Sequence, residues 1–587
     1  MDCLKRLEYR GYDSAGIAVI DKKLKVFKEV GGISNLKEKT PSIKGSIGIG
    51  HTRWATHGGV TQENAHPHTC CKKKISLIHN GIIENFKSLK ENLEKKGHKF
   101  TSQTDTEVIA HLIEDEYKDN FEDAVIKALN KIKGSYAIVA VNSEEPDKII
   151  GARKESPLVI GVGDNENFIA SDIPALLKYT NRVIFLDDGE LCVVCKNSVK
   201  VTNLDKKTQN KSIEIIDWDF KDAEKSGFPH FMLKEIFDQP DSIHQAFRGR
   251  ISEIEESISL PEKVEKTLSE DYDSIYIIAC GTSFYAGMAG KYLIEQITGI
   301  PVFVELSSEY RYFGNKKESS LVIAITQSGE TADTLAALKE AKNSGCSTLV
   351  VTNVIGSTAT RLSDSYILTQ SGPEIGVAAT KTFTSQIIIL FLLALKISSL
   401  KCKKGSDEIY DSILQLKEIP RVVRYILDHS NQILEIANII KDSSSVFFIG
   451  RGVNYPLSLE GALKLKEISY IHAEGFAAGE LKHGPFALLT KKTPVVAIAT
   501  KDHTYEKIIA NIGEIKARGP QVIAIAEDDD TEIEKHADFI LRFPSDSSLL
   551  SCIPITVILQ LLAYYIADLR NCPIDKPRNL AKSVTVE

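Results

Sequence analysis

Ser274-Ile-Tyr-Ile-Ile-Ala-Cys-Gly281 and Ser445-Val-Phe-Phe-Ile-Gly-Arg-Gly452 decide the fold. Each is a short apolar run that ends in glycine and leads into a long helical pattern. A second pair repeats the relation, Leu321-Val-Ile-Ala-Ile-Thr326 and Val495-Val-Ala-Ile-Ala-Thr500. A helix and a glycine follow each of these (Gly345, Gly519), and then a third apolar strand. Continuous apolar strands alternating with helices predict a parallel sheet covered by crossover helices. The grammar occurs twice, over 265–405 and 437–578, so a duplicated α/β domain is expected. A solenoid is excluded, because its period is only ~20–50 residues. A helix over 409–428, within 406–436, bridges the copies.

In the first copy two strands run into hydroxyl-rich loops, Cys280-Gly-Thr282-Ser283 and Thr326-Gln327-Ser328-Gly-Glu-Thr331. Both loops open helices at the carboxyl ends of strands, where open α/β sheets bind ligands. Free helix N–H groups, a positive dipole end and neutral hydroxyls suit a phosphate dianion. The plainer reading is helix capping, for which Ser and Thr are preferred anyway. The second copy has Gly450-Arg-Gly452 and Thr500-Lys-Asp-His503 instead, so one phosphate site per pair is expected.

A helical stretch over 457–472 carries Glu460, Lys464 and Glu467 at i, i+4 and i+7, in one narrow arc. An exposed Glu–Lys pair is common and contributes little. Here, however, Leu457, Leu463, Ile468 and Ile471 flank the arc, and a buried carboxylate beside a lysine suits proton transfer next to a carbonyl. His483 follows in a glycine-bounded loop; it is a candidate proton shuttle or a structural residue. The C-terminal Pro577-Arg-Asn-Leu-Ala-Lys582-Ser-Val-Thr-Val-Glu587 reads as a solvated tail, or as the carrier of a Schiff-base lysine.

Residues 1–220 carry shorter strand runs, among them Gly16-Ile-Ala-Val-Ile20, Ile75-Ser-Leu-Ile78, Ala137-Ile-Val-Ala-Val141 and Phe168-Ile-Ala170. Helical patterns over 84–96 and 105–117 interrupt them, which predicts an α+β domain. Residues 221–264 read as a linker. The whole chain of 587 residues is 43% hydrophobic and 26% charged, which excludes fibrous, disordered and disulfide-scaffold classes. A net charge of −7 argues against nucleic acid or anionic membrane as a general partner. No apolar stretch reaches the ~18 residues of a spanning helix, and the run at 387–395 reads as a buried helix. With no export signal in view, the ten cysteines read as reduced thiols of a cytoplasmic protein. Cys192-x-x-Cys195 lacks the second pair that a tetrahedral site needs.

At these motifs the chain resembles the glutamine–fructose-6-phosphate aminotransferases (isomerizing), along essentially its whole length. The resemblance also rests on Arg10-Gly-Tyr-Asp-Ser-Ala-Gly16, His51-Thr-Arg-Trp-Ala-Thr-His-Gly58, Asn64-Ala-His-Pro-His68, His79-Asn-Gly-Ile-Ile-Glu-Asn85, Thr104-Asp-Thr-Glu107 and Gly376-Val-Ala-Ala-Thr-Lys381. It implies an N-terminal nucleophile-type glutaminase sandwich over 1–220 and two SIS (sugar isomerase) domains, with 579–587 as an active-site tail. The activity implied is the synthesis of glucosamine 6-phosphate from fructose 6-phosphate and glutamine, the first step of amino-sugar formation, by a homodimer or larger. Arg53 and Asp105 would hold glutamine, Asn80 and Gly81 would form an oxyanion hole, and Trp54 would gate an ammonia channel. Thr282, Ser283, Thr326, Gln327, Ser328, Thr331 and Val377 would bind the sugar phosphate. Glu467 would move a proton between C1 and C2, with Lys464 in support, His483 would assist ring opening, and Lys582 would form an imine. The family implies no cofactor, and His51, His57, His66, His68 and His79 are expected to hold no metal, since Arg53 lies among them.

Three departures stand out. The family's nucleophile is an N-terminal cysteine opening a Cys-Gly-Ile strand, whereas here Met1 falls just before the Arg10 motif and Cys3 stands where the family has a small helical residue. A coding start upstream is the expectation; a chain that no longer hydrolyses glutamine, an ammonia-dependent aminase or isomerase, is the alternative. Thr326 and Ala379 replace serines, and only Thr326 keeps a hydroxyl. A phosphosugar-sensing regulator is a further alternative, disfavoured because a sensor would not need Glu467, His483 and Lys582.

Overall fold

The structure, a computed structural model, describes residues 1–8, 11, 13–53, 58–216, 225–252, 257–314, 319–402, 406–544 and 549–585. Trp54 and His57 lie outside the described residues, as do Arg10 and Tyr12. Contacts divide the chain into two units, Met1–Ala223 with Ser583–Glu587, and Glu224–Lys582.

The first unit is an α+β sandwich. Its six-stranded antiparallel sheet runs, edge to edge, Ser198–Asn203, Glu190–Cys195, Lys148–Lys154, Gly134–Asn142, Ile75–Ile83 and His68–Thr69. Alternation along Gly134–Asn142 divides its side chains between two cores. Tyr136, Ile138 and Ala140 pack with helices Glu107–Glu116 and Phe121–Leu129. Ala137, Val139 and Val141 meet strands of two smaller sheets. Cys192 is buried in this sheet and burial pushes its thiol up to about 12, so it is an inert core thiol.

The second unit holds two five-stranded parallel sheets with one spatial order. In the first the strands lie Val302–Leu306, Ser274–Ala279, Ser320–Ile325, Ser347–Thr352, Ser365–Leu368; in the second, His472–Ala477, Ser445–Gly450, Val495–Ile498, Val522–Glu527, Phe539–Phe543. Both faces of each sheet are covered, which explains the uninterrupted apolar runs. Ile275 and Ile277 belong to one core, whereas Tyr276 and Ile278 belong to another. The core behind Ile275 is continuous with the one behind Val446 and Phe448 of the second copy.

Two expectations need correction. Lys381–Lys401 and Cys552–Leu569 are long and apolar enough to cross a membrane by length and composition, and 83% of each window is buried inside the protein. Unbroken runs missed them because Gln386, Pro554 and Gln560 interrupt the apolar stretches. Residues read as a linker contain helices Phe231–Phe237 and Gln239–Phe247, whose Met232, Ile236, Ile243 and Ala246 join the same core. Between the copies the chain forms two helices, Ser406–Asp428 and Asn431–Ile440.

Candidate active site

Strands Ser274–Ala279 and Ser320–Ile325 are parallel neighbours, with Ala279 opposite Ile325. Their loops therefore leave the sheet side by side, at the point where the strand order reverses and such sheets bind ligands. The first loop opens helix Gly281–Thr298, and the second opens Ala332–Asn343. Within the second loop Thr326 Oγ1 accepts from Gly329 N at 3.2 Å and lies 3.3 Å from Thr331 Oγ1, while Ser328 Oγ accepts from Glu330 N at 3.2 Å. Gly329 has φ +68, and a Cβ there would sit 2.1 Å from Ser357 Oγ, so only glycine lets the loop close this tightly. The carbonyl of Gln327 accepts from Asn353 N and Thr352 Oγ1. Ser283 Oγ accepts from Gln386 Nε2 at 3.0 Å, which leaves Gln386 Oε1 buried and unpartnered among the described residues.

The second copy fills the corresponding space with its own side chains. Asn454 Nδ2 donates to Thr500 Oγ1 at 2.6 Å, and Thr500 Oγ1 donates to Asp502 Oδ2 at 3.0 Å. A fixed carboxylate there would repel a phosphate.

The helix predicted over 457–472 spans Asn454–Ser469 and ends at Tyr470, a left-handed residue at φ +62. Glu460 and Lys464 are each 1% exposed. Lys464 Nζ lies 2.8 Å from Glu467 Oε2, 3.5 Å from Glu460 Oε1 and 3.0 Å from Thr282 Oγ1. Thr282 Oγ1 also lies 3.3 Å from Glu460 Oε1. The charged stripe of the second copy is thus hydrogen-bonded to the hydroxyl loop of the first. Burial pushes the Glu460 carboxyl up to about 8 against the pull of Lys464. Burial also works against the Lys464 ammonium, but Glu460 and Glu467 outweigh it and hold Lys464 above the ordinary lysine value.

Lys582 does not fray. Its ammonium bonds Glu374 Oε2 at 2.5 Å, with side chains 4% and 0% exposed. Glu374 also accepts from Thr380 N, Thr382 N and Thr382 Oγ1. Burial raises the Glu374 carboxyl, but Lys582 and these donors win and hold it at about 2. Burial and the neighbouring Glu374 charge push Glu235 up to about 7; it accepts from Ile375 N and Gly376 N. The tail leading to Lys582 is pinned at several points. Asp575 accepts from Phe231 N and Met232 N at a helix start, its carbonyl accepts from Val377 N, and Arg578 N donates to Tyr470 Oη. His483 is exposed and has no hydrogen-bond partner among the described residues.

In the first unit a cavity of ≈ 430 Å³ is lined by Arg53, Asn80, Gly81 and Asp105 together. Arg53, 4% exposed, donates to Gly58 O and Gly59 O. Asp105 Oδ2 accepts from Ile83 N at 2.8 Å, and Asn80 Oδ1 lies 2.9 Å from His51 Nε2. Gly81 has φ +129, and a Cβ would meet Ser135 O at 2.2 Å. Burial lowers His51 to about 4 and also lowers His66, His68 and His79, so these rings are neutral; His51 stacks on His66 at 4.3 Å. Cys3 lines the same cavity, and burial raises its thiol, the opposite of an activated nucleophile.

Sequence reasoning missed Glu374, Glu235 and Gln386, and it used Glu460 only as part of a stripe. Glu374 sits in a segment without periodicity, and Glu235 lies on the short helix Phe231–Phe237 inside residues read as a linker.

Comparison with known proteins supplies the remaining evidence. The family model described as glutamine amidotransferase domain matches residues 51–178, and the SIS domain model matches 269–396 and 439–567. The chain is 52% identical over 604 residues to the glutamine–fructose-6-phosphate aminotransferase [isomerizing] of Methanosarcina mazei, covering 100% of this chain and 97% of that protein. The protein of the same name from Thermococcus kodakarensis is 50% identical over 592 residues, again covering 100% and 97%. The solved C-terminal domain of glucosamine-fructose-6-phosphate aminotransferase from Francisella tularensis matches with a TM-score of 0.58 and 38% identity, over 60% of this chain and 99% of that one. Identity at this level along the whole sequence, with an amidotransferase domain ahead of two SIS domains, establishes that the chain belongs to the glutamine–fructose-6-phosphate aminotransferase (isomerizing) family.

Proposed function

We propose that the protein makes glucosamine 6-phosphate from fructose 6-phosphate and the amide nitrogen of glutamine (EC 2.6.1.16), and that it works as a homodimer or larger. The observation that carries the sugar half is the bond from Lys464 to Thr282, which joins a buried acid/base stripe to a phosphate-shaped loop. Thr282, Ser283, Thr326, Gln327, Ser328 and Thr331 cradle the phosphate and sugar hydroxyls, with Val377 in the neighbouring loop. Lys582 first passes one ammonium proton to solvent or to Glu374; the free amine then attacks the C2 carbonyl, water leaves, and a sugar imine forms. Ammonia then replaces the lysine at C2. Glu467 takes a proton from C1 and returns it to C2, converting a ketose imine into an amino aldose. Lys464 fixes the position of Glu467, and His483 moves the ring-oxygen proton during opening. In the first unit Arg53 and Asp105 bind the charged ends of glutamine, while Asn80 and the Gly81 N–H face the oxyanion that forms when a thiolate of the kind the family carries attacks the amide carbon and ammonia leaves. Trp54 is the proposed ammonia gate.

The test is reduction with borohydride in the presence of fructose 6-phosphate, with ammonium as the nitrogen source in a parallel synthesis assay. Sugar should be trapped on Lys582, and glucosamine 6-phosphate should accumulate. Lys582→Arg keeps the charge but has no free amine nucleophile. It should abolish both, and equal trapping in wild type and variant would sink the assignment. Sedimentation gives the oligomeric state.

A further inference from the structure

A cluster away from both sites brings four ligand-type side chains together. Cys71 follows strand His68–Thr69, His98 follows helix Phe86–Lys95, and His111 and Glu114 lie one turn apart on helix Glu107–Glu116. One ligand atom from each lies within 4.8 Å of all the others. The Nδ1 atoms of His98 and His111 face each other at 3.3 Å. Cys71 Sγ lies 3.8 Å from the first and 3.5 Å from the second. Glu114 Oε2 lies 3.4 Å from His98 Nδ1.

The edges among Cys71, His98 and His111 and the His98–Glu114 edge, 3.3–3.8 Å, are close to those of a zinc tetrahedron, while the set as a whole spans up to 4.8 Å and would draw in on binding. With Zn–N of about 2.0–2.1 Å and Zn–S of about 2.3 Å, tetrahedral angles give N–N edges of about 3.3 Å and S–N edges of about 3.5 Å. The far side of each ring supplies an independent observation. A carboxylate lies near each, just beyond hydrogen-bond reach: Glu107 Oε1 is 3.6 Å from the otherwise unpartnered His111 Nε2, and Asp115 Oδ1 is 3.9 Å from His98 Nε2. Metal-ligating histidines characteristically turn their other nitrogen to such a carboxylate. Glu107 is itself fixed by Thr101 N, Ser102 N and Thr101 Oγ1. Glu114 is oriented by Cys71 N and Lys72 N. Lys72, Lys73 and Lys74 add positive charge beside the cluster. They are exposed, and Glu114, Glu107 and Asp115 oppose them.

We propose that Cys71, His98, His111 and Glu114 bind a zinc-class divalent cation. Thiolate, imidazole and carboxylate are the donors such an ion selects. Four protein ligands close the coordination sphere, so the site is structural. The Cys71 thiol loses its proton to solvent on binding. The ion staples the loop after His68–Thr69 and the turn at 97–99 to the helix that follows Asp105. It therefore steadies the wall of the first unit's cavity. This site departs from the expectation of no metal, which covers the whole enzyme although its ground, Arg53, lies among a different set of histidines.

The test uses the full chain. Purified without chelator, it should carry about one zinc per chain by elemental mass spectrometry. Stripped and reloaded with cobalt(II), it should develop thiolate-to-cobalt charge-transfer absorption with tetrahedral ligand-field bands. Cys71→Ser should abolish the charge-transfer band and weaken zinc binding by more than roughly 100-fold, the upper end of what losing only an outer hydrogen-bond partner costs. His98→Ala should lose the tetrahedral bands. Zinc should raise the melting temperature of the wild type and of neither variant. The other nine cysteines serve as the internal control. A wild type that takes up no zinc or cobalt from micromolar solution overturns the proposal, as does a Cys71→Ser protein with an unchanged cobalt spectrum.

Discussion

Replacing Glu460 by glutamine isolates the electrostatics of the charged stripe. Glu460 is 1% exposed, and burial outweighs Lys464 in moving its carboxyl from 4.5 to about 8. A carboxyl raised in the folded state binds its proton more tightly there than in the unfolded chain. The stability it contributes is therefore complete below pH 4.5 and fades as the pH rises through 8. Applying the linkage relation between pH 6 and pH 9 gives a loss of ~2.7 kcal/mol, about 100-fold in an opening equilibrium. Glu460→Gln conserves volume and cannot ionise, so it should lack this dependence. Both tryptophans, Trp54 and Trp218, lie outside the duplicated domains, which makes their fluorescence a poor reporter. Hydrogen exchange of peptides from helix Asn454–Ser469 is the suitable assay. Wild type and variant are compared at the same pH, so intrinsic exchange rates cancel. The ratio of variant to wild-type protection should rise by about 100-fold from pH 6 to pH 9. The same ratio at both pH values would refute a carboxyl whose burial outweighs its partner Lys464.

Three further outcomes are expected. Ser328→Ala combined with Thr331→Ala should raise the KM for fructose 6-phosphate, since each hydrogen bond to a charged group contributes ~1.5–3 kcal/mol; an unchanged KM would remove the cradle assignment. Glu374→Gln leaves Lys582 buried without its carboxylate, so melting should reveal a loss of ~3–5 kcal/mol, with slower borohydride trapping; normal values of both would show the pair to be dispensable. Gly81→Ala forces a Cβ to within 2.2 Å of Ser135 O, so calorimetry should detect no glutamine binding, and retained binding would contradict the tight packing of this strand.

The parts legible in the sequence were those with a period. The duplicated sheets showed as paired apolar runs, and the stripe showed because Glu460, Lys464 and Glu467 repeat at helical spacing. The hydroxyl loops showed because they sit where strands turn into helices. Glu374 was invisible because its meaning depends on a lysine 208 positions away, brought back by a tail that looked free. Glu235 was hidden in residues whose polar character reads as a linker, although their apolar faces complete a core. Cys71, His98, His111 and Glu114 have no regular spacing, and only the one-turn interval between the last two hinted at a shared face. The helix Cys552–Leu569 was not legible because Pro554 and Gln560 break its apolar run, whereas burial tolerates Gln560 once it bonds the Thr380 carbonyl and Gln239.

The second copy's occupied cradle has a consequence for how the two halves of the unit behave. Asp502 occupies, in the duplicated register, the place of Ser328, and through Thr500 it fixes Asn454, the first residue of the helix that carries the stripe. The chain thus holds a built-in imitation of the anion that the first copy takes from solution. If the first copy holds phosphate as proposed, one half carries its own carboxylate in place while its twin is left to take an anion from solution. Duplication has in this way separated holding still from letting go, two demands that a single phosphate loop would have to meet in turn.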